Sequence, residues 1–173
     1  MSKDPSTSGT EADIQAQLRV KRALWDETNT LAATTNQLES LRAQLVAFGK
    51  QMGKGDSSKD LRQAAEDLGK KLLAVESKLL RLKLTGWGQD DCRWAPMLLM
   101  KITYLFGQLD ATADFPPTTQ QAAVAELLKQ EGDAVQKEFE QVAKDVAAFN
   151  TMLRERKIPN IIVQQASTGQ ASN

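Results

Sequence analysis

The chain has 173 residues, 41% of them hydrophobic and 5% aromatic, and its 22 Lys and Arg residues balance its 22 Asp and Glu residues. This length suits about one domain with its own core. A balanced charge gives no global field toward polyanions, so we predict no nucleic-acid binding. Membrane insertion is not predicted either, because the apolar runs are too short for it. The chain has no histidine and a single cysteine, Cys92, which excludes imidazole catalysis, the usual zinc ligand sets and an internal disulfide.

The first residues, "MSKDPSTSGT", contain no apolar run, and the sequence therefore predicts no signal peptide within them. No window approaches the ~18 apolar residues that a membrane span requires. The cellular compartment stays open at this stage.

The first helix is predicted over about 11–48. Thr10 and Asp13 have the spacing of a capping box, with Asp in place of the usual Glu. A leucine recurs at every seventh position, which is typical of a coiled coil or a helical bundle; these residues are Leu24, Leu31, Leu38 and Leu45. The glycines that follow, Gly49, Gly53 and Gly55, predict the end of the helix.

Two shorter helices are predicted over about 58–84 and 96–110. The apolar positions of the first alternate spacings of four and three residues, as one narrow helical face requires; they are Leu61, Ala65, Leu68, Leu72, Val75, Leu79 and Leu82. Pro96 is placed in the first turn of the second, whose run "PMLLMKITYLFGQL" predicts a buried helix.

A second long helix is predicted over about 118–156, capped by Thr118 or Thr119 and ended before Pro159. Its apolar stripe comprises Val124, Leu128, Val135, Phe139, Val142, Val146, Phe149 and Leu153. The four stripes predict an all-α fold, an antiparallel up-down four-helix bundle with two long outer helices. An elongated coiled coil formed with another chain is the alternative. The predicted organisation is a linker over 1–10, a bundle domain over 11–158 and an extended or disordered tail over 159–173.

The stretch "LTGWGQDDCRWAP" at 84–96 invites an active-site interpretation, with Asp90 and Asp91 as an acid–base or metal pair and Cys92 as a nucleophile. A cysteine nucleophile needs a base or a cationic neighbour, and the chain has no histidine. Two adjacent carboxylates also point in different directions, whereas glycoside hydrolysis needs two carboxyls facing each other across a sugar. We therefore predict no catalytic, cofactor or metal site.

Two other interpretations of this stretch remain. It is a structural corner, in which glycines permit the turn and Trp94 fills space at the end of the bundle, or it is an anchor for a partner protein. The predicted partner-binding residues are Trp87, Asp90, Asp91, Arg93 and Trp94. For Trp25 on the first helix two places are open, one in the core, which we favour, and one that faces a further domain.

Several segments resemble a known family: "KDPSTSGTEADIQAQ", "LRAQL", "GQDDCRWAPMLLMKITYLFGQL", "FPPTTQQ" and "AFNTMLRERKIP". They are similar to the helical C-terminal region of large secreted BNR/Asp-box β-propeller proteins related to sortilin, which are often labelled glycosyl hydrolases. The resemblance runs from Lys3 to about Ile162. It implies a helical accessory domain outside the cytoplasm that follows a glycan- or ligand-binding propeller. The repeated Ser-x-Asp-x-Gly-x-x-Trp signature of such propellers does not occur in this chain.

Three functions follow as hypotheses. The first is a non-catalytic accessory domain that docks on, or braces, a β-propeller domain or protein. The second is a self-associating coiled-coil scaffold, in which one of the long helices pairs across a homodimer. The third, which rests on the family label and the tryptophans, is a glycan-binding or glycosyl hydrolase-like protein.

Overall fold

The structure is a computed structural model that describes residues 5–52, 59–82, 94–112 and 114–163. Within these residues the secondary structure is entirely helical, with four helices and no strand, which confirms the prediction of an all-α chain. The helices are α1 (Glu11–Gln51), α2 (Lys59–Leu79), α3 (Leu98–Asp110) and α4 (Thr119–Glu155).

Three predicted helix boundaries are wrong. Gly49 lies inside α1, which continues to Gln51. A glycine inside a helix costs only about 1 kcal/mol, so it need not end the helix. Helix α2 ends at Leu79, short of the predicted 84. Pro96 precedes α3 rather than entering its first turn, since Met97 takes an extended conformation (ψ 171°) and the helix begins only after it.

Both long helices begin with side-chain caps that satisfy free backbone N–H groups. The predicted box at α1 is confirmed: the Asp13 N–H donates to Thr10 Oγ1 over 3.2 Å, and the Thr10 N–H donates to Asp13 Oδ2 over 2.8 Å. Thr118 and Gln121 repeat this arrangement at α4, at 3.1 and 2.9 Å. Such reciprocal bonds fix where a helix starts.

Helix α4 ends at Glu155, before the predicted 156, in a Schellman motif. The N–H of Ile158 donates to the Leu153 carbonyl (2.9 Å), and the N–H of Lys157 donates to the Arg154 carbonyl (3.0 Å). Lys157 occupies the left-handed position, with φ 58°, that glycine usually takes in this motif. The chain therefore leaves α4 at a defined angle, ahead of Pro159.

The described residues fall into two compact units, and the first combines those of Met1–Ala32 and Leu79–Ala134. Its core includes Leu24 and Leu31 of α1 and the buried stripe of α3, which comprises Leu98, Ile102, Leu105 and Leu109. The Gln17 amide, itself buried, donates to the Thr112 hydroxyl (2.8 Å) and to the Phe115 carbonyl (3.2 Å). These bonds hold the connection between α3 and α4 against α1.

The second unit combines the described residues of Ala33–Lys78 and Val135–Asn173. Its core is drawn from α1, α2, α4 and the segment after α4, and includes Leu38, Leu41, Leu45, Leu61, Leu68, Leu72, Val75, Val142, Val146, Phe149, Leu153 and Ile161. Phe48 and Phe149 meet edge to face, with ring centroids 5.6 Å apart. Aromatic pairs favour this orientation because the positive ring edge meets the negative face.

The predicted stripes agree with burial at most positions and fail at a few. The four heptad leucines of α1 are buried, as are the α2 positions from Leu61 to Leu79. Leu82 and Val124 are exposed, contrary to the prediction, and Phe139 is only half-buried. Trp25 is also exposed rather than in the core; its ring lies 6.1 Å from that of Phe106 on α3.

A partly buried carboxylate in the first unit makes stability depend on pH. Glu27 of α1 lies against Gly132 of α4, and its Oε1 is buried without a hydrogen-bond partner among the described residues. Burial and, secondarily, the Asp133 carboxylate raise the pKa of Glu27 above its ordinary value, although Lys129 opposes them. Ionised Glu27 therefore destabilises the fold once the pH exceeds the ordinary pKa of a glutamate.

We predict that Glu27→Gln increases the free energy of unfolding by roughly 0.3 to 1 kcal/mol at pH 7, a small gain because water screens a partly exposed group. At pH 3 the gain should vanish, since the carboxyl is protonated in both the folded and the unfolded state. Urea titrations at the two pH values measure the difference. Glu140→Gln, at an exposed position of α4, is the control. An equal gain at both pH values would contradict the assignment.

Candidate interaction surface

The first unit exposes an apolar surface between α3 and the start of α4, which we call the α3–α4 face. It consists of Met100 and Tyr104 on α3 and Val124 and Leu127 on α4, with exposed fractions of 60%, 69%, 44% and 54%. These side chains surround a groove of about 760 Å³. Large contiguous apolar patches on a protein surface mark interaction sites, and this group of side chains is a candidate for one.

The spacing of residues along α3 places this face opposite its core. Leu98, Ile102, Leu105 and Leu109 recur every three or four residues and are buried together. Met100 and Tyr104 are four residues apart and occupy another side of the same helix. Helix α3 is thus apolar on more of its circumference than one core contact needs, which is unusual for a helix with a single buried stripe.

The polar groups of the groove leave it without net charge. Lys101 and Glu131 are the charged residues among the described residues that line it, and their Nζ and Oε2 atoms lie 3.0 Å apart. Gln108, Gln120 and Gln121 supply uncharged amides at its margin. An apolar centre with a polar, neutral margin suits a protein surface more than a charged ligand.

Of the five predicted partner-binding residues, the structure describes one. Trp87, Asp90, Asp91 and Arg93 lie outside the described residues, as does Cys92. Trp94 lies within them and is 41% exposed. Its place at the corner and its role in partner binding both stay predictions.

Trp94 has a cation partner in the first unit. The Arg81 guanidinium carbon lies 5.2 Å from the centroid of the Trp94 ring, and the same guanidinium donates to the Ala95 carbonyl. A cation over the face of an indole ring is attracted by the ring's quadrupole. Arg81 therefore holds Trp94 in place just before α3 while leaving part of the ring exposed.

The described residues contain no cluster of three or more His, Cys, Asp or Glu side chains placed to hold a metal ion. None of the helices in this part of the chain combines the length and apolar content needed to cross a membrane. No protein-family model, curated protein or solved structure matches the chain.

The α3–α4 face was not predicted from the sequence, because the run "PMLLMKITYLFGQL" was predicted to form a buried helix. Val124 was assigned to a core stripe, whereas Tyr104 and Lys101 were not predicted to form a site. A usable signal was present: Leu98, Ile102, Leu105 and Leu109 already complete one stripe, so Met100 and Tyr104 are surplus to it.

Proposed function

We propose that this chain is a non-catalytic helical interaction domain that binds a protein partner through the α3–α4 face. The observation that carries this function is the cluster of four exposed apolar side chains around a neutral groove. Tyrosine and methionine are enriched at protein interfaces, since both supply large apolar area and tyrosine adds a hydroxyl for the margin.

A β-propeller domain is the partner that we propose. The resemblance to the helical region of sortilin-like BNR proteins favours it, because in that family the helices accompany a propeller. In this proposal the neutral groove receives an apolar side chain from a propeller loop. In this proposal the four helices form the antiparallel up-down bundle predicted over 11–158, which presents the face as a rigid support.

Binding to a purified β-propeller domain of a sortilin-like BNR protein tests this function by titration calorimetry. We expect Tyr104→Glu and Leu127→Glu each to weaken binding by about tenfold or more, because each places a charge in the apolar centre. Leu73→Glu, at an exposed leucine of α2 in the second unit, is the matched control and should leave affinity unchanged.

Sedimentation velocity over a range of concentrations distinguishes the alternative of a homodimer. A dimer that Tyr104→Glu dissociates would assign the α3–α4 face to a second copy instead of a propeller. Propeller binding that neither Tyr104→Glu nor Leu127→Glu weakens would refute the role of this face. Circular dichroism checks that each variant keeps its helical content.

A further inference from the structure

The segment that follows α4 is held by two side-chain amides in the second unit. Asn150 of α4 contacts both backbone groups of Ile161: its Nδ2 donates to the Ile161 carbonyl (2.8 Å), and the Ile161 N–H donates to its Oδ1 (2.7 Å). Gln44 of α1 likewise contacts both backbone groups of Ile162: its Nε2 donates to the Ile162 carbonyl (2.9 Å), and the Ile162 N–H donates to its Oε1 (2.8 Å). We call this pair of residues the amide clamp.

The clamp reproduces the hydrogen bonding of a β-sheet, although the described residues beside the segment belong to helices. In an extended chain the N–H and C=O of one residue point to the same side, and those of the next residue point to the opposite side. Ile161 accordingly pairs with α4 and Ile162 with α1. A primary amide has a carbonyl acceptor and an NH2 group with two donor hydrogens, so its oxygen and one N–H can pair with both backbone groups of one residue, as a neighbouring strand would.

Side-chain burial follows the same alternation. Ile161 is 6% exposed and belongs to the core of the second unit, whereas Ile162 is 66% exposed. Successive side chains of an extended chain point to opposite faces. Burial of Ile161 and the hydrogen bonds of the clamp are therefore satisfied together in only one alignment of the segment. Ser40 supports Gln44, because Gln44 Nε2 also lies 3.3 Å from Ser40 Oγ.

None of these contacts requires the segment to belong to the same chain. The four hydrogen bonds involve backbone groups of the segment, which any non-proline residue supplies, and the selective contact is one aliphatic side chain. Because the described part of this segment buries one side chain, we expect it to open locally before the helices do.

We propose that Gln44 and Asn150 form an acceptor site for an extended segment with an aliphatic side chain, and that its partner is the tail of a second copy of this chain. Within one chain the tail fills its own clamp. When two copies meet, each clamp accepts the other's tail through identical contacts, because exchange of an identical element requires no new surface. This site is separate from the α3–α4 face and does not depend on it.

Two full-length variants test the exchange. The acceptor carries Ile161→Asp, which ejects its own tail and leaves the clamp intact. The donor carries Asn150→Leu, which breaks its clamp and leaves the tail intact. We expect each variant alone to be a monomer and their mixture to form a heterodimer in sedimentation velocity. A mixture that stays monomeric at about 100 μM would overturn the assignment of the second copy as partner.

A labelled peptide with the sequence KIPNIIV, residues 157–163, measures the acceptor site directly by fluorescence anisotropy. The acceptor variant should bind it, and adding Asn150→Leu should weaken binding by about tenfold or more. Asn36→Leu, at an exposed asparagine of α1, is the matched control and should have no effect. The proposed site would be refuted if the folded acceptor variant does not bind the peptide, or if Asn150→Leu leaves its affinity for the peptide unchanged.

Amide hydrogen exchange in the unaltered chain measures the clamp's hydrogen bonds without the Ile161→Asp substitution. The Ile161 and Ile162 amides should both be protected. Asn150→Leu should release the Ile161 amide, and Gln44→Leu should release the Ile162 amide. Amides that exchange at the rate of a free peptide in the unaltered chain would overturn the clamp.

Discussion

Leu72→Ala is expected to lower the free energy of unfolding by about 2 to 5 kcal/mol. Leu72 is 0% exposed in the core of the second unit, and its removal loses both the transfer free energy of the buried methyl groups and the contacts lining the resulting cavity. This is a large fraction of the 5 to 15 kcal/mol that typically stabilises a domain, so the variant should unfold at a much lower denaturant concentration.

Leu73→Ala is the matched control, because it makes the same chemical change one position along α2. Leu73 is 44% exposed, and its truncation should cost less than about 1 kcal/mol. Urea unfolding of the two variants, followed by circular dichroism at 222 nm, gives the comparison. Equal losses would show that α2 does not bury the face that its leucines define.

The pairing of these two leucines shows why much of the fold could be predicted from the sequence. A stripe with spacings of three and four residues specifies which side of a helix is buried, whatever it packs against. The stripe of α2 therefore predicted burial correctly from Leu61 to Leu79. The Thr10–Asp13 box likewise depends only on residues three apart, and the start of α1 was predicted correctly.

Features that depend on contacts between distant residues could not be predicted in this way. The stripe carries no information on which helix receives a side chain, so Trp25 was placed in the core although it lies exposed beside Phe106. The tail over 159–173 was predicted to be extended or disordered, whereas the amide clamp joins residues as far apart as Gln44 and Ile162. No local pattern indicates such a pair.

The candidate interaction surface was also not predicted, because the sequence directed attention to a different stretch. Tryptophan between glycines is conspicuous in a sequence, and it directed the site prediction to the stretch around Trp87 and Trp94. The α3–α4 face instead consists of ordinary helical positions, which form a surface because none of the described residues of the first unit covers them. The exposure of a side chain depends on how the chain packs and cannot be determined from the residue type alone.

Glu76 is the clearest buried group that the pattern did not reveal. It lies on α2 next to Val75, is 1% exposed, and forms an ion pair with Arg42 of α1. A buried carboxylate has lost its hydration, and the guanidinium compensates for that loss by charge and by hydrogen bonding. Arg42 is itself only half-buried, so the guanidinium also remains in contact with water.

Arg42→Met is expected to lower the free energy of unfolding by about 2 to 4 kcal/mol, because it leaves the Glu76 carboxylate buried without its cation. The apolar stem of the side chain is kept by methionine, so the loss reports the charge more than the packing. Lys70→Met, which breaks the exposed pair with Asp67, is the matched control and should cost under about 1 kcal/mol.

Adding Glu76→Leu to Arg42→Met should recover most of the lost stability. Leucine fills the space of the carboxylate without needing a partner, and replacement of a buried pair by apolar residues is often neutral. The double-mutant cycle measured by urea unfolding then gives a coupling of about 2 kcal/mol or more between the two positions. Additive losses would mean that Arg42 and Glu76 stabilise the second unit separately, through packing alone, and that the ion pair contributes nothing to its stability.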